Sequence, residues 1–260
     1  MNTIDFHSET NRGSYARRNA DSGWAEAVTA IVDPAGKRIA DIGCGGGIYA
    51  QAWRELGASD VVGVDFSARM VADARERTAG LAGLSFRQGD ADGTGLARAS
   101  RDIVFQRALI HHLEEYEPAF AEARRLLVRG GQLIVQDRTP ADVEVPGSPE
   151  HLRGWFFERF PRLLAIEAGR RPTSDAVEKA LQATGFGAIR RQTLWEIRRT
   201  YASVEELAGD LAARTGRSIL HALDDEELRD LIAFIRERIG TPPIVEMDRW
   251  TIWSARASGE

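Results

Sequence analysis

Apolar positions along the chain fall into two periods, and the switches between them predict the elements. Trp24 to Val32 carries alanine, valine and isoleucine at helical spacing, and Asp33-Pro34-Ala35-Gly36 stops it. A first strand follows from Arg38 to Ile42, then a helix from Ile48 to Leu56 closed by Gly57. Val61 to Val64 is a short apolar run ending at Asp65, and Ser67 is placed to cap the next helix through Met70, Val71 and Ala74. Leu84 to Gln88 alternates as a strand, Asp102 to Gln106 is the fourth, Pro118 to Leu127 a helix, and Gln132 to Gln136 the fifth strand after Gly130-Gly131. Strand and helix thus alternate through five strands, which predicts an α/β fold whose parallel sheet carries helices on both faces and takes ligands at the strands' carboxyl ends.

Beyond Asp137 the pattern changes. A loop with Pro140, Pro146, Gly147 and Pro149 leads to the aromatic-rich stretch Trp155 to Phe160, then to a helix from Thr173 to Thr184 and a long strand from Ala188 to Tyr201. Two helices with capping boxes follow, Ser203 with Glu206 opening Val204 to Ala213 and Asp224 with Glu227 opening Glu226 to Ile239. A last strand runs from Ile244 to Ala255. The helical pair suits core packing or a lid over a substrate equally well.

The chain of 260 residues is 43% hydrophobic and 28% charged, an ordinary globular composition. Its net charge of -5 supplies no general attraction to nucleic acid or to an anionic membrane, and its arginine doublets read as solvated faces. Cys44 is the only cysteine, so no intrachain disulfide can form. With no apolar signal segment at the start and no run long enough to span a bilayer, a cytoplasmic setting is the expectation.

The chemistry concentrates in Asp41-Ile42-Gly43-Cys44-Gly45-Gly46-Gly47, a strand that breaks into a glycine turn opening a helix. Asp41 repels a pyrophosphate and attracts a cation, so the loop suits an ammonium- or sulfonium-bearing ligand better than a dinucleotide. Position 48, where a dinucleotide fingerprint has a third small residue, is isoleucine.

Together with Val64-Asp65-Phe66-Ser67 and Met70, Gly89-Asp90-Ala91, the run Phe105 to Leu113, and Leu126 to Gly131, this loop resembles the class I S-adenosylmethionine-dependent methyltransferases, especially those acting on small molecules. The resemblance covers residues 38–137 by specific motifs and the rest more loosely. It implies a doubly wound, Rossmann-like, seven-stranded and mostly parallel sheet with an antiparallel last strand. It also implies a single domain over 1–260, with 38–137 as cofactor-binding core and 1–33 and 202–240 as a helical cap. S-adenosylmethionine is the implied cofactor, held by Asp41, Gly43, Cys44, Gly45 and Gly47 in the loop. Asp65 would accept from the ribose hydroxyls, Phe66 and Met70 would contact the adenine faces, Asp90 and Ala91 would meet its polar edge, and the Gln106 carbonyl would meet the ammonium, with Arg107 beside it. An N-terminal tyrosine, here Tyr15, would close over the methionine portion.

The acceptor would be a small molecule, with His112 as a candidate base and His111, Arg138, Trp155, Trp195 and Arg199 as candidate substrate contacts. No divalent metal is expected, because no carboxylate cluster of suitable character stands at the fourth and fifth strand ends. The acceptor atom and the choice between monomer and homodimer stay open. Two other readings remain: a module that binds the cofactor without transfer, and an NAD-dependent oxidoreductase.

Overall fold

The computed structural model describes residues 20–258, which form two compact units. One comprises residues 20–137, 172–194 and 251–258, and the other residues 138–171 and 195–250.

In the first unit α1 (Ser22–Ile31) leads into β1 (Arg38–Ile42), α2 (Ile48–Glu55), β2 (Asp60–Asp65), α3 (Ala68–Arg77), β3 (Leu84–Gln88) and β4 (Arg101–Arg107). A 3-10 turn, Ile110–His112, then precedes α4 (Glu117–Leu126) and β5 (Leu127–Asp137), with α8 (Ser174–Ala183) further along the chain. The seven-stranded sheet has the order β3-β2-β1-β4-β5-β7-β6, where β6 is Phe186–Tyr201 and β7 is Ile244–Ala257. β1 to β5 pair in parallel, and β7 pairs antiparallel with β5. The expected α/β sheet with an antiparallel last strand is therefore present.

Both faces of this sheet are covered, because alternate residues of each central strand enter different clusters. Ala40, Ile42, Val62, Val64 and Val104 pack on one face with Phe120 and Leu126 of α4 and Leu181 of α8. Ile39, Val61, Ile103 and Phe105 pack on the other with Trp24 of α1 and Trp53 of α2. Trp24, Trp53 and Phe105 meet edge to face, with centroids 5.2 to 5.8 Å apart. No helix joins β3 to β4. Thr94 on that loop instead gives its backbone N–H to the Glu122 carboxylate of α4 at 3.0 Å, which ties the loop to the sheet-covering helix.

The second unit holds α5 (Pro140–Val143), α6 (Leu152–Arg159), α7 (Arg162–Ala168), α9 (Val204–Ala212), a 3-10 turn Ser218–Ala222 and α10 (Asp225–Arg236). The aromatic-rich stretch of the sequence is thus helical. Its residues Leu152 to Phe157 are buried in succession, so no exposed face marks a helical period. A separate apolar cluster joins Phe156, Leu163, Leu211 and Leu231.

A network of buried charges packs beside this cluster. The Arg217 guanidinium, fully buried, donates through Nη1 to Asp210 at 2.6 Å and through Nη2 to Glu246 at 2.6 Å and to the Tyr201 hydroxyl at 2.8 Å. Arg198 donates to the same Glu246 oxygen at 2.9 Å. Burial raises the Glu246 carboxyl, but Arg217 and Arg198 outweigh it and hold the group ionised below its usual range. Removing one partner from such a network leaves a buried charge uncompensated. Arg217→Ala is therefore expected to lower unfolding free energy by about 3–5 kcal/mol in urea titrations; a loss within experimental error of zero would show that the network does not support this unit.

Candidate active site

Sheet register builds the site. Ile42 of β1 is level with Val64 of β2 and Gln106 of β4, and Gln106 with Val135 of β5. Asp65 and Arg107, which end β2 and β4, and Gln136, next to last in β5, therefore emerge at one level with the glycine loop that follows Ile42.

Backbone geometry then fixes the loop. Gly43 and Cys44 both donate their N–H groups to Val64 O, at 2.8 and 3.1 Å. Gly43, Gly45 and Gly47 all take positive φ, a region that disfavours side chains. A Cβ at Gly47 would lie 2.6 Å from Phe86 Cζ, and one at Gly43 would lie 3.0 Å from Leu109 Cδ1. Across the loop, Gly45 N–H donates to Asp65 Oδ2 at 2.8 Å and Ser67 N–H to Asp65 Oδ1 at 2.9 Å. One carboxylate thus joins the β1 turn to the start of α3.

Two polar groups beneath this loop are left over. Asp41 is 2% exposed, and its Oδ2 has no hydrogen-bond partner among the described residues. Burial first and the Asp65 charge second raise its carboxyl to about 7, against the pull of Arg107 and the Ala50 N–H. Gln106 is wholly buried, and neither atom of its side-chain amide has a partner among the described residues. Buried polar atoms are nearly always paired, so these mark a place that a polar ligand completes. Alternation sets the two side chains on opposite faces of the sheet, Asp41 on the side of Ile39 and Phe105 and Gln106 on the side of Ile42 and Val104, so an ammonium group answers the Asp41 carboxylate and not both side chains at once.

The other expected contacts take ordinary positions around this centre. Phe66 is 49% exposed just after β2, and Gln88 Nε2 donates to its carbonyl at 3.0 Å. Met70 sits half-buried in the first turn of α3, where its N–H reaches Ser67 Oγ. Asp90 is exposed after β3 and forms a turn with Gly93, while Ala91 is half-buried. Arg107 places its guanidinium 4.3 Å from the Tyr49 ring centre. Cys44 is buried and its thiol is pushed well up by burial, which makes it a packing residue. Tyr15 lies outside the described residues.

The two histidines differ. His111 Nδ1 lies 2.9 Å from both oxygens of Asp137, a fully buried residue at the end of β5, whereas the His112 ring meets that of His111 at a tilt of 42°, with centroids 4.0 Å apart. The signal for Asp137 in the sequence is its position, an acid closing the apolar run of β5.

The remaining candidates lie in the second unit, each in different surroundings. Arg138 stands near Glu167 and Asp248, at 3.8 and 3.9 Å, and over the Trp250 ring. Burial, with repulsion from Arg153 and Arg171, lowers it to about 9. Trp155 is buried in the apolar cluster. Trp195 is 40% exposed and meets the His151 ring edge to face. Arg199 pairs with Asp210 and Glu206 at 2.7 and 2.8 Å.

Residues 40–135 match the family described as Methyltransferase domain. Demethylmenaquinone methyltransferase of Thermus thermophilus is 36% identical over 157 residues, which cover 58% of this chain and 67% of that protein. The chain belongs to the class I S-adenosylmethionine-dependent methyltransferases. Ribosomal RNA small subunit methyltransferase C of Chromohalobacter salexigens is 32% identical over 136 residues, 49% of this chain, and the chain spans only 40% of that relative's length. A solved complex of phosphoethanolamine N-methyltransferase 2 from Haemonchus contortus with phosphomonomethylethanolamine and S-adenosylhomocysteine shares the fold, with a TM-score of 0.61 at 19% identity over 99% of this chain and 61% of that one. S-adenosylmethionine is the family's cofactor, and the orphaned Asp41 Oδ2 fits its ammonium. No helix among the described residues is long and apolar enough to cross a membrane.

The raised Asp41 carboxyl links stability to pH. Its folded value of about 7 exceeds its ordinary 3.8, so the stability it contributes is complete below about pH 4 and is lost as pH rises through 7. The span corresponds to about 4 kcal/mol. Urea unfolding of the ligand-free protein between pH 4 and 8 should show a flatter dependence in Asp41→Asn than in the unsubstituted protein, and an unchanged slope would contradict the assignment.

Proposed function

We propose that this protein transfers the methyl group of S-adenosylmethionine to a small-molecule acceptor. The observation that carries the reading is the Gly45–Asp65 link beside the unpartnered Asp41 Oδ2 at one end of the sheet. Asp65 holds the ribose hydroxyls, since each carboxylate oxygen accepts more than one hydrogen bond. Phe66 and Met70 supply apolar contact to the adenine, with Asp90 and the Ala91 N–H at its polar edge. Asp41 takes the ammonium together with the backbone carbonyl of Gln106.

The cofactor supplies an electrophilic methyl on a sulfonium, so the protein's work is alignment, exclusion of water and proton removal. A small acceptor is supported by the acidic net charge, which offers no footprint for nucleic acid, and by the demethylmenaquinone methyltransferase relative. The ribosomal RNA methyltransferase among its relatives makes RNA the acceptor to compare.

Calorimetry tests the cofactor reading. S-adenosylmethionine and S-adenosylhomocysteine should bind with micromolar-range dissociation constants, and Asp65→Ala should weaken binding about 10- to 100-fold by removing a charged acceptor. Absence of heat with both ligands, joined to protection from unfolding by NADH, would replace the reading with an oxidoreductase. Intact binding with no transfer of labelled methyl to small molecules or to ribosomal RNA would replace it with a binding module.

A further inference from the structure

His111 is set in the 3-10 turn after β4, and a buried acid governs its ring. Nδ1 lies 2.9 Å from both Asp137 oxygens, and the His111 backbone N–H reaches Oδ2 at 3.3 Å. The approach to β5 is fixed one step earlier, where Ala108, at a φ of +50°, donates its N–H to Gln136 O at 2.8 Å. An ionised carboxylate only accepts, so the contact places the imidazole proton on Nδ1 and leaves a lone pair on Nε2. The His111 side chain retains 14% exposure, whereas Asp137 has none. A ring nitrogen with a lone pair, oriented through its other nitrogen by a buried carboxylate, is the arrangement of a general base whose imidazolium form the carboxylate stabilises.

We propose that His111, held in this tautomer by Asp137, is the catalytic base of the methyl transfer, and that the acceptor is a hydroxyl of the phenol or hydroquinone class. The proposal rests on the methyltransferase reading above. A phenol with a pKa near 10 stays protonated at neutral pH and attacks poorly until its proton is removed, whereas a carboxylate is already ionised and an amine attacks through the lone pair of its neutral form, so neither needs a base during the transfer. In the step, the acceptor O–H proton passes to Nε2 and the oxygen's electron pair forms a bond to the methyl carbon. The pair of the breaking carbon–sulfur bond stays on sulfur, and the positive charge leaves the sulfonium as the imidazolium forms. Asp137 is the positioning residue, and the proton returns to water after product leaves.

Three measurements test this. Calorimetry with S-adenosylhomocysteine comes first: failure of the unsubstituted protein to bind overturns the methyltransferase reading itself. His111→Gln and Asp137→Asn should bind it within about twofold of the unsubstituted protein, which shows that both variants are folded. Long-range proton–nitrogen spectra of the complex should then show His111 protonated on Nδ1, with the proton moved to Nε2 in Asp137→Asn. Finally, labelled-methyl transfer is measured with 1,4-naphthohydroquinone, trans-aconitate and phosphoethanolamine as probes. The expected result is transfer to the hydroquinone oxygen, reduced about 100-fold or more in kcat with little change in KM in both variants. A proton on Nε2 in the unsubstituted protein, or turnover in His111→Gln within about threefold of it, overturns the role of His111. Transfer to trans-aconitate or phosphoethanolamine in place of the hydroquinone, or to none of the three despite cofactor binding, overturns the acceptor class.

Discussion

One carboxylate sets the geometry of the site. Asp65 ends β2, and by accepting from Gly45 on one oxygen and Ser67 on the other it ties the glycine turn of β1 to the first turn of α3. The link works because parallel register has already brought Ile42, Val64 and Gln106 to one level, so the loops that leave these strands converge without strain in the sheet. Positive φ at Gly43, Gly45 and Gly47 is the local consequence: the chain must turn sharply while Val64 O collects two of its N–H groups. A side chain at Gly47 would also drive into Phe86, which fills the space under the turn.

Such a frame leaves charge in an apolar setting, and the two units handle it differently. In the first, Asp41 Oδ2 and the Gln106 amide have no partner among the described residues, a cost that a ligand offsets. In the second, Arg198 and Arg217 meet Glu246, Asp210 and the Tyr201 hydroxyl through their Nη atoms, while the Nε of each has no hydrogen-bond partner among the described residues. Opposite charges bonded to one another hold a fold together, whereas a carboxylate oxygen left open at a strand end points to binding.

Much of this was legible in the sequence because it is local. Strands β1 to β4, the glycine turn, Asp41 ahead of it and the Ser67 cap follow from periodicity and residue chemistry within short windows. Elements whose cause is tertiary were harder to read. Helix α6 shows no amphipathic period because Leu152 to Phe157 are buried all round. Strand β5 begins at Leu127, before the predicted Gln132, since Gly130 and Gly131 are absorbed within it where the sequence suggests a turn. The contact of His111 with Asp137 joins residues 26 apart, and it exists because β4 and β5 are parallel neighbours. No window on the sequence contains it. The same holds for the Gln106 side chain, singled out in the sequence for its backbone carbonyl alone.

The central claim is that Asp41, Asp65 and the Gln106 backbone carbonyl form one polar cradle for S-adenosylmethionine, and a crystal structure with S-adenosylhomocysteine tests it most directly. The account predicts ribose hydroxyls on the Asp65 carboxylate and the ligand's ammonium by Asp41, the Gln106 carbonyl and the glycine turn, with Asp41 Oδ2 no longer unpaired. A ligand bound elsewhere, or one bound here with Asp41 Oδ2 still unpartnered, would contradict it.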